Sequence, residues 1–273
     1  MNKIFITGAG GYVGAMLVKE LLEKNNFVCA YDLFTYGDVL EQHKNLKIIK
    51  GDIRNKQLLE KAIPGNNIFI HLACISNDPS FELNPNLGKE INYDAFEPMV
   101  KIAKDSGVER FIYASSSSVY GLKDEKDVTE EAILEPLTDY SKFKAMCEDI
   151  LLKYNDNNFT GTIIRPATVC GYSVRQRFDL VVNILTNNAF NNGKITVFGG
   201  DQLRPNIHIK DMINAYLKVI EADRSIVSGQ IFNAGFENKT VSELAHKVKN
   251  IIGQEIEIVF KKTDDNRSYH VSS

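Results

Sequence analysis

Short apolar segments alternate with longer amphipathic ones through the first two thirds of the chain. Runs of β-branched and aromatic residues, typical of buried strands, occupy 3–7, 27–32, 46–52, 67–73, 110–116 and 160–166. Between them, apolar residues recur at three-to-four spacing, which predicts helices over 14–24, 55–63, 92–107 and 140–155. Apolar strands that alternate with helices predict a parallel sheet covered on both faces. The expected fold class is α/β, a doubly wound parallel sheet.

Beyond Arg165 this alternation loosens. The pattern predicts helices over 209–222 and 240–253, and short strands over 229–235 and 256–260. Segments inserted beyond the carboxyl edge of such a sheet commonly build substrate pockets. We therefore expect residues 1–165 to form the sheet domain and 166–273 to form mainly a smaller α/β substrate-binding lobe. The two parts are expected to be interwoven, with some later segments returning to the first.

Composition narrows the class of partner. Of the 273 residues, 44% are hydrophobic and 25% charged, which suits a globular chain with a substantial core. The 32 basic and 35 acidic side chains give a formal charge of −3 without a basic run, so no nucleic-acid partner is expected. The apolar start is interrupted by glycines, and no segment has the roughly 18 apolar residues that a membrane helix needs.

Cysteine and histidine spacing indicates neither a disulfide framework nor a metal site. The four cysteines are far apart without C-x-x-C spacing, and the five histidines show no ligand pattern. Reduced thiols are typical of the cytoplasm, which is the expected location. The four are Cys29, Cys74, Cys147 and Cys170.

Three glycines follow the first predicted strand and open a helix. Gly8, Gly11 and Gly14 have the spacing G-x-x-G-x-x-G, which allows a tight turn and close approach of a pyrophosphate to the helix N-terminus. Glycines alone also mark ordinary turns. Asp32, however, ends the second strand, where a carboxylate can hold the adenosine ribose hydroxyls and repel the extra phosphate of NADP. Together these residues predict a dinucleotide site that prefers NAD.

A serine run and a Tyr/Lys pair form the candidate catalytic set. Tyr140 and Lys144 are four residues apart on a predicted helix, so the ammonium can lower the pKa of the phenol and make it a general acid or base. A hydroxyl from 115–118 could stabilise charge on the same substrate oxygen. Tyr and Lys at this spacing are usually a solvated pair. The ordered series of glycines, Asp32, serines and Tyr/Lys is what makes the pattern specific.

This series closely resembles the extended short-chain dehydrogenase/reductase family, the NAD-dependent nucleotide-sugar epimerases and dehydratases. The resemblance runs along nearly the whole chain, through TGAGGYVG, YDLFTYG, GDIR, HLAC, SSSSVYG, YSKFK, RPATVCG and RPNIHIKDM. It implies a Rossmann domain that binds NAD, an enzyme acting on a nucleotide-diphosphate sugar, and a homodimer.

The resemblance also assigns roles by position. It implies that Ser116 and Tyr140 are catalytic and that Lys144 is catalytic and bonds the nicotinamide ribose. The implied cofactor-binding residues are Gly8, Gly11, Tyr12, Val13, Gly14, Asp32, Asp52, Ile53, Leu72, Ala73, Asn92, Tyr140 and Lys144. The expected substrate-binding residues are Ser117, Arg175, Arg177, Asn183, Arg204 and Arg267.

Departures from the family patterns favour one reaction over another. Sugar 4,6-dehydratases resemble this chain but carry an Asp-Glu pair directly after the catalytic Thr, where this chain has Ser117 and Ser118. The segment 167–183 resembles a subgroup similar to heptose-nucleotide carbon-4 dehydrogenases, with Val174 where that subgroup has Pro. We therefore expect an epimerase that transiently oxidises sugar carbon 4. The alternatives are a carbon-4 dehydrogenase, for example of GDP-heptose, a ketosugar reductase, and a non-catalytic NAD-binding regulator.

Family members usually dimerise by pairing the Tyr/Lys helix with the long helix before it. Six apolar positions on these helices are candidates for that interface, although half of them could instead pack on the sheet. They are Phe96, Met99, Val100, Met146, Ile150 and Leu151.

Overall fold

The computed structural model describes residues 1–123, 128–253, 255–263 and 271–272. The strands are β1 (Lys3–Thr7), β2 (Phe27–Asp32), β3 (Leu46–Lys50), β4 (Ile68–His71), β5 (Arg110–Ala114), β6 (Thr160–Pro166), β7 (Thr168–Cys170), β8 (Lys194–Phe198), β9 (Leu203–His208), β10 (Ile231–Ala234), β11 (Glu237–Thr240) and β12 (Glu257–Lys261). The α-helices are α1 (Tyr12–Glu23), α2 (Lys56–Ala62), α3 (Asp78–Glu82), α4 (Pro85–Lys89), α5 (Phe96–Asp105), α6 (Asp139–Tyr154), α7 (Val181–Asn192), α8 (Ile209–Glu221), α9 (Arg224–Val227) and α10 (Val241–Ile252).

Seven strands form the central sheet in the order β10-β6-β5-β4-β1-β2-β3, and every neighbouring pair is parallel. The predicted fold class, a doubly wound parallel α/β sheet, is confirmed. Successive strands are added outward from β1 in both directions, β2 on one side and β4 on the other. Ligands of such sheets bind in the crevice at the carboxyl ends of the strands where the order reverses.

Side chains on the central strands alternate between two buried layers. Ile4 and Ile6 of β1 face one apolar cluster, to which α1 and α8 contribute, whereas Phe5 belongs to the opposite cluster with α2, α5 and α6. All three side chains are completely buried. The sheet is therefore covered on both faces, as the continuous apolar strands predict.

This packing corrects most of the predicted dimer surface. Phe96, Met99, Val100 and Leu151 are at most 1% exposed and belong to the cluster beneath α5 and α6. Apolar residues at helical spacing are used first to cover the sheet, so these four are unavailable to a partner. Of the six candidates, Met146 is 40% exposed and Ile150 is partly buried.

The later residues form two small sheets and supply one strand to the large one. β11, β9 and β7 make a three-stranded sheet, and β12 pairs with β8. A third apolar cluster joins α7 and α10, and β10 lies beside β6 at the edge of the central sheet. Within the described ranges, we find no helix with the length and apolar character to cross a bilayer. The cytoplasmic location stays a prediction.

Candidate active site

The glycine turn between β1 and α1 can be formed only by residues without side chains. Gly8 has φ of 74°, and a Cβ there would lie 2.6 Å from the backbone nitrogen of Ala73. A Cβ on Gly14 would lie 2.1 Å from the carbonyl oxygen of Gly8. The N-cap of α1 is Gly11, which has no side chain to bond the first-turn amides. These amides therefore suit the phosphates of a ligand.

Asp32 connects this turn to the loop after β2. Its two carboxylate oxygens accept hydrogen bonds from the backbone nitrogens of Gly10, at 3.0 Å, and Phe34, at 2.7 Å. The Phe34 ring packs against Gly10, and a Cβ on Gly10 would lie 2.8 Å from this ring. The carboxylate thus lies at the edge of the turn, where the sequence predicts it.

The next two predicted cofactor residues follow β3. The Tyr31 hydroxyl donates to the carbonyl oxygen of Asp52 at 2.7 Å, and Ile53 is buried in the core. The Asp52 carboxylate pairs with Arg54 at 2.7 Å, and these hydrogen bonds hold its pKa below the ordinary value. The Asp52 backbone and the Ile53 side chain are therefore held in place, and the Asp52 carboxylate is paired with Arg54.

Asn92 supports the loop that follows β4. It lies on a single π-helical turn, Glu90–Asp94, that precedes α5 and splits the helix predicted over 92–107. Its amide accepts from the Ile75 nitrogen at 2.8 Å and donates to the Ile75 oxygen at 3.0 Å. Asn92 is buried, so it holds the segment directly after Leu72 and Ala73 in position.

Ser116 and Tyr140 meet at the carboxyl end of β5. Ser116 caps a short 3₁₀ turn, accepting from the Ser118 nitrogen at 3.1 Å, and its hydroxyl lies 2.8 Å from that of Ser118. The Ser116 side chain lies close enough to Tyr140 to favour ionisation of the Tyr140 phenol. Thr138 caps α6, so the helix begins at Asp139, directly before Tyr140. The predicted catalytic hydroxyls are thus brought together.

Lys144 lies in the same cluster, one helical turn after Tyr140. Its ammonium is buried, donates to the Ala114 carbonyl oxygen at 2.6 Å, and lies 4.9 Å from the Tyr113 ring centre and 5.9 Å from that of Tyr140. Burial raises the pKa of Tyr140, whereas the positive charge of Arg177 and the nearby Ser116 hydroxyl act to lower it. The lowering of this pKa by Lys144 stays a prediction.

A cavity of about 430 Å³ opens beside these hydroxyls, between the sheet domain and the later residues. Its size falls within the range of small-molecule sites. Ser118, Thr138 and Arg204 are among its polar residues, and Leu180, Ile184 and Phe198 among its apolar ones. No group of three His, Cys, Asp or Glu side chains that could hold a metal ion occurs in the part of the chain that the structure describes.

The predicted substrate residues divide into several groups. Arg204 lines the cavity. Ser117 is 2% exposed, and the next serine of the 3₁₀ turn, Ser118, lines the cavity. The substrate-binding role of Ser117 stays a prediction. Arg267 lies outside the described residues.

Arg177 lies at the rim of the cavity. It bonds the Ser76 hydroxyl at 2.9 Å and the Asp179 carboxylate at 3.0 Å. Asp179 itself lines the cavity, and its hydrogen bond to Arg177 lowers the pKa of its carboxyl. Arg177 also lies close enough to Tyr140 for its charge to act to lower the pKa of the phenol.

Asn183 and Arg175 are not among the residues that line this cavity, and their substrate-binding roles stay predictions. Asn183 is buried, and its amide accepts from the Gly171 nitrogen at 3.0 Å and donates to the Tyr12 hydroxyl at 3.1 Å. Its role is to hold the loop between β7 and α7 against the start of α1. Arg175, on that loop, stacks on Tyr36, with 3.8 Å between the guanidinium carbon and the ring centre.

Two groups of site residues were missed from the sequence. Asp78 lines the cavity and accepts from the Thr138 hydroxyl at 2.6 Å. Beneath the serine turn, Arg165 of β6 pairs with Glu148 of α6 at 2.6 Å, and Glu148 also accepts from Ser115. A charged residue inside an otherwise apolar strand was the available signal, because a buried charge requires a partner.

Comparisons with known proteins agree with this geometry. A family model described as the NAD dependent epimerase/dehydratase family matches residues 4–235. The UDP-glucose 4-epimerase of Lactobacillus helveticus is 25% identical over 271 residues, covering 91% of this chain and 82% of that protein. The UDP-N-acetylglucosamine 4-epimerase of Methanobrevibacter ruminantium M1, solved with UDP-N-acetylmuramic acid, has a TM-score of 0.90 at 23% identity, covering 99% of this chain and 88% of that one.

A dehydratase is structurally almost as similar. The DesIV double mutant of Streptomyces venezuelae, a dTDP-glucose 4,6-dehydratase solved with NAD and DAU bound, has a TM-score of 0.87 at 22% identity, covering 99% of this chain and 88% of that one. Likeness at this identity shows the fold and does not separate the two reactions. The family match, which spans most of the chain, does show that this protein is an NAD-dependent enzyme of the epimerase/dehydratase family, within the extended short-chain dehydrogenases/reductases.

Proposed function

We propose that this enzyme epimerises a nucleotide-diphosphate sugar by transient oxidation at carbon 4. The observation that carries the proposal is that Ser116 and Tyr140 lie close together beside the cavity. Two hydroxyls that can reach one substrate oxygen suit the removal and return of an alcohol proton. The similarity to sugar-nucleotide 4-epimerases supports the substrate class and the carbon.

The residues present fit NAD. Backbone atoms lie 2.6 Å from where a Cβ of Gly8 would stand and 2.1 Å from where a Cβ of Gly14 would stand, so the turn keeps the tight course of a dinucleotide site. Asp32 lies at the edge of this turn. Amides at the start of α1 would hold the diphosphate, Asp32 the adenosine ribose, and Lys144 the nicotinamide ribose. NAD, when bound, supplies the acceptor for the hydride of the sugar carbon.

The chain's own groups then handle the proton. Tyr140 accepts the proton of the carbon-4 hydroxyl, and Ser116 donates a hydrogen bond to the same oxygen as its charge develops. Accepting this proton requires the phenolate form of Tyr140, which burial disfavours and the positive charge of Arg177 favours. The phenol formed in this step then returns the proton to the sugar oxygen when the hydride comes back. Inversion requires the keto sugar to rotate within the cavity between the removal of the hydride and its return, so that its opposite face receives the hydride.

Dehydration is disfavoured by the residues after Ser116. Ser117 and Ser118 carry no carboxylate that could remove a proton from carbon 5. The Asp78 carboxylate lines the cavity, but it is hydrogen-bonded by Thr138. We therefore favour epimerisation over elimination. A carbon-4 dehydrogenase or ketosugar reductase is the second candidate. It is supported by the resemblance of 167–183 to the heptose-nucleotide dehydrogenases, and GDP-heptose is an example of its substrate.

The test follows the sugar and the cofactor together. The enzyme is incubated with UDP-, dTDP- and GDP-sugars in deuterated water, once without and once with added NAD in excess over the sugar, and products are identified by NMR. We expect a carbon-4 epimer without deuterium at carbon 5. A keto product formed with one NADH per sugar contradicts epimerisation and favours the dehydrogenase. Loss of water with solvent deuterium in the product indicates a dehydratase.

Tyr140→Phe separates catalysis from a regulatory role. We expect turnover to fall by roughly 10²- to 10⁴-fold, because the proton acceptor is lost. NAD affinity should stay unchanged, as should thermal stability, because the ring remains. Unchanged function of this variant in cells would favour the non-catalytic NAD-binding alternative.

A homodimer through α5 and α6 also belongs to this proposal. Met146 is the exposed apolar side chain among the six candidates, with Ile150 partly buried nearby on α6. Met146→Glu should shift the protein towards the monomer in sedimentation. An unchanged sedimentation coefficient would contradict this interface.

A further inference from the structure

The loop between β7 and α7 lies directly on the glycine turn. The Tyr12 hydroxyl donates to the Gly171 carbonyl oxygen at 2.7 Å, and the Ser173 hydroxyl donates to the Tyr12 carbonyl oxygen at 2.7 Å. Ser173 is 1% exposed. A segment from the second half of the chain is thus fixed to the first residue of α1, next to where a diphosphate would bind.

Arg175 extends from this loop to the loop that follows β2. Its guanidinium carbon lies 3.8 Å from the ring centre of Tyr36, in the loop that begins after Asp32. A guanidinium over an aromatic face at this distance is a favourable cation–π contact. The two side chains therefore bridge the loop after β7 and the loop after β2, which flank the glycine turn.

The guanidinium is incompletely satisfied. One terminal nitrogen, Nη1, donates to the Gln176 carbonyl oxygen at 2.7 Å. The Nε atom of Arg175 is buried, and the described residues offer it no hydrogen-bond acceptor. A buried N–H without a partner is costly, which makes such a group a candidate for bonding a ligand. Arginine donors fit phosphate and ribose oxygens particularly well.

We propose that Arg175 and Tyr36 form a clasp that closes over the adenosine diphosphate part of bound NAD. The Arg175 Nε–H donates to an oxygen of that part, and stacking on Tyr36 holds the guanidinium in place. NAD then leaves only after the clasp opens, so one cofactor molecule serves successive turnovers. Retention of the cofactor is what an epimerase needs, because its hydride returns to the sugar. The inference rests on NAD dependence, and its test does not depend on which reaction occurs.

The competing assignment is the one made from the sequence, in which Arg175 binds the sugar nucleotide. Three ligands separate the two assignments. NAD and ADP both contain adenosine diphosphate and probe the clasp, whereas UDP probes the cavity of the proposed substrate. Affinities for all three are measured by calorimetry on the full chain after bound nucleotide has been removed.

Arg175→Met keeps the length of the side chain and removes its donors and charge. We expect its affinity for NAD and ADP to fall by roughly tenfold to a hundredfold, as for the loss of a charge-assisted hydrogen bond. UDP affinity should be unchanged, and NAD release in stopped flow should be faster. Arg224→Met is the matched control, because Arg224 on α9 donates to the Asp156 carbonyl oxygen on the surface and should leave all three affinities unchanged.

Tyr36→Leu provides a second variant that does not threaten folding, because Tyr36 is 75% exposed. It should weaken NAD and ADP severalfold, and its effect should largely vanish in the Arg175→Met background. Weaker UDP binding with unchanged NAD binding would overturn the clasp in favour of the substrate assignment. Unchanged affinities for all three ligands in both variants would overturn it outright. Absence of NAD binding by the unsubstituted enzyme would instead contradict the proposed function itself.

Discussion

Two arginine–carboxylate pairs lie within the same site and differ in their surroundings. Arg165 and Glu148 pair beneath the serine turn with side chains 3% and 2% exposed. Arg177 and Asp179 pair at the cavity rim, where the side chains are 16% and 46% exposed. Glu148 accepts three hydrogen bonds from Arg165 and a further one from Ser115. Asp179 accepts from Arg177 and from Asn77.

The difference in burial indicates a different role for each pair. A pair removed from water must remain intact, because losing one member leaves an uncompensated buried charge. The buried pair therefore joins α6, which carries Tyr140, to β6 and to the residue before Ser116. A pair at a wet rim gains little stability from its attraction. Arg177 and Asp179 can exchange their bonds for those of a ligand at small cost.

Breaking the buried pair should have the largest effect. Glu148→Ala is expected to lower the free energy of unfolding by about 3–5 kcal/mol, because Arg165 is left buried without a counter-charge. Urea unfolding followed by circular dichroism measures the loss. Adding Arg165→Met should restore much of it, since the unpaired charge is then gone. A loss below about 1 kcal/mol in the single variant would show that water reaches the pair.

The reactivity of two cysteine thiols should show the same contrast between the buried region and the cavity rim. Cys147 is completely buried near Glu148, and burial raises the pKa of its thiol to about 12. Cys74 is partly exposed and lies close enough to influence Arg177 and Tyr140 electrostatically. At pH 8 we expect Cys74 to be labelled more than roughly a hundredfold faster, since only thiolates react. Peptide mapping measures both rates, and equal rates would contradict the contrast.

Breaking the rim pair should affect binding rather than folding. Arg177→Gln is expected to change the free energy of unfolding by less than about 1 kcal/mol. The KM for the sugar nucleotide should rise roughly tenfold through the lost charge-assisted bond. Steady-state kinetics and urea unfolding measure the two effects. Lys142→Gln, which removes an exposed pair with Asp139, is the matched control. A destabilisation of several kcal/mol would assign Arg177 to the scaffold instead.

The smallest expected effect is the loss of stability from the Arg177–Asp179 pair at low pH. Arg177 lowers the pKa of Asp179 below the ordinary 3.8, so the pair stabilises the fold above that value and loses this contribution as pH falls through the folded pKa. The Asp179 side chain is 46% exposed, so solvent screens the pair and we expect less than about 1 kcal/mol. The stability difference from Asp179→Asn should be constant between about pH 5 and 8 and shrink below about pH 4. A difference that changes near neutrality would contradict this assignment.

Much of the fold and the cofactor site could be predicted because the signals are local. The strands from β1 to β6 are contiguous apolar runs, and the glycine turn with Asp32 spans about thirty residues. The contacts of Arg175 and Asn183 could not be predicted from the sequence. Their partners, such as Tyr36 and Tyr12, lie more than a hundred residues away along the chain.

The sequence by itself determined the family, the parallel sheet and the order of the chemical groups along the chain, because periodicity and short motifs are read within a few residues. Only the tertiary structure decided which charges are buried and which carboxylates and arginines face the cavity. It also decided the pKa shift of Tyr140. The physical reason is that desolvation and electrostatic pairing act through space, between segments as distant in sequence as Tyr36 and Arg175.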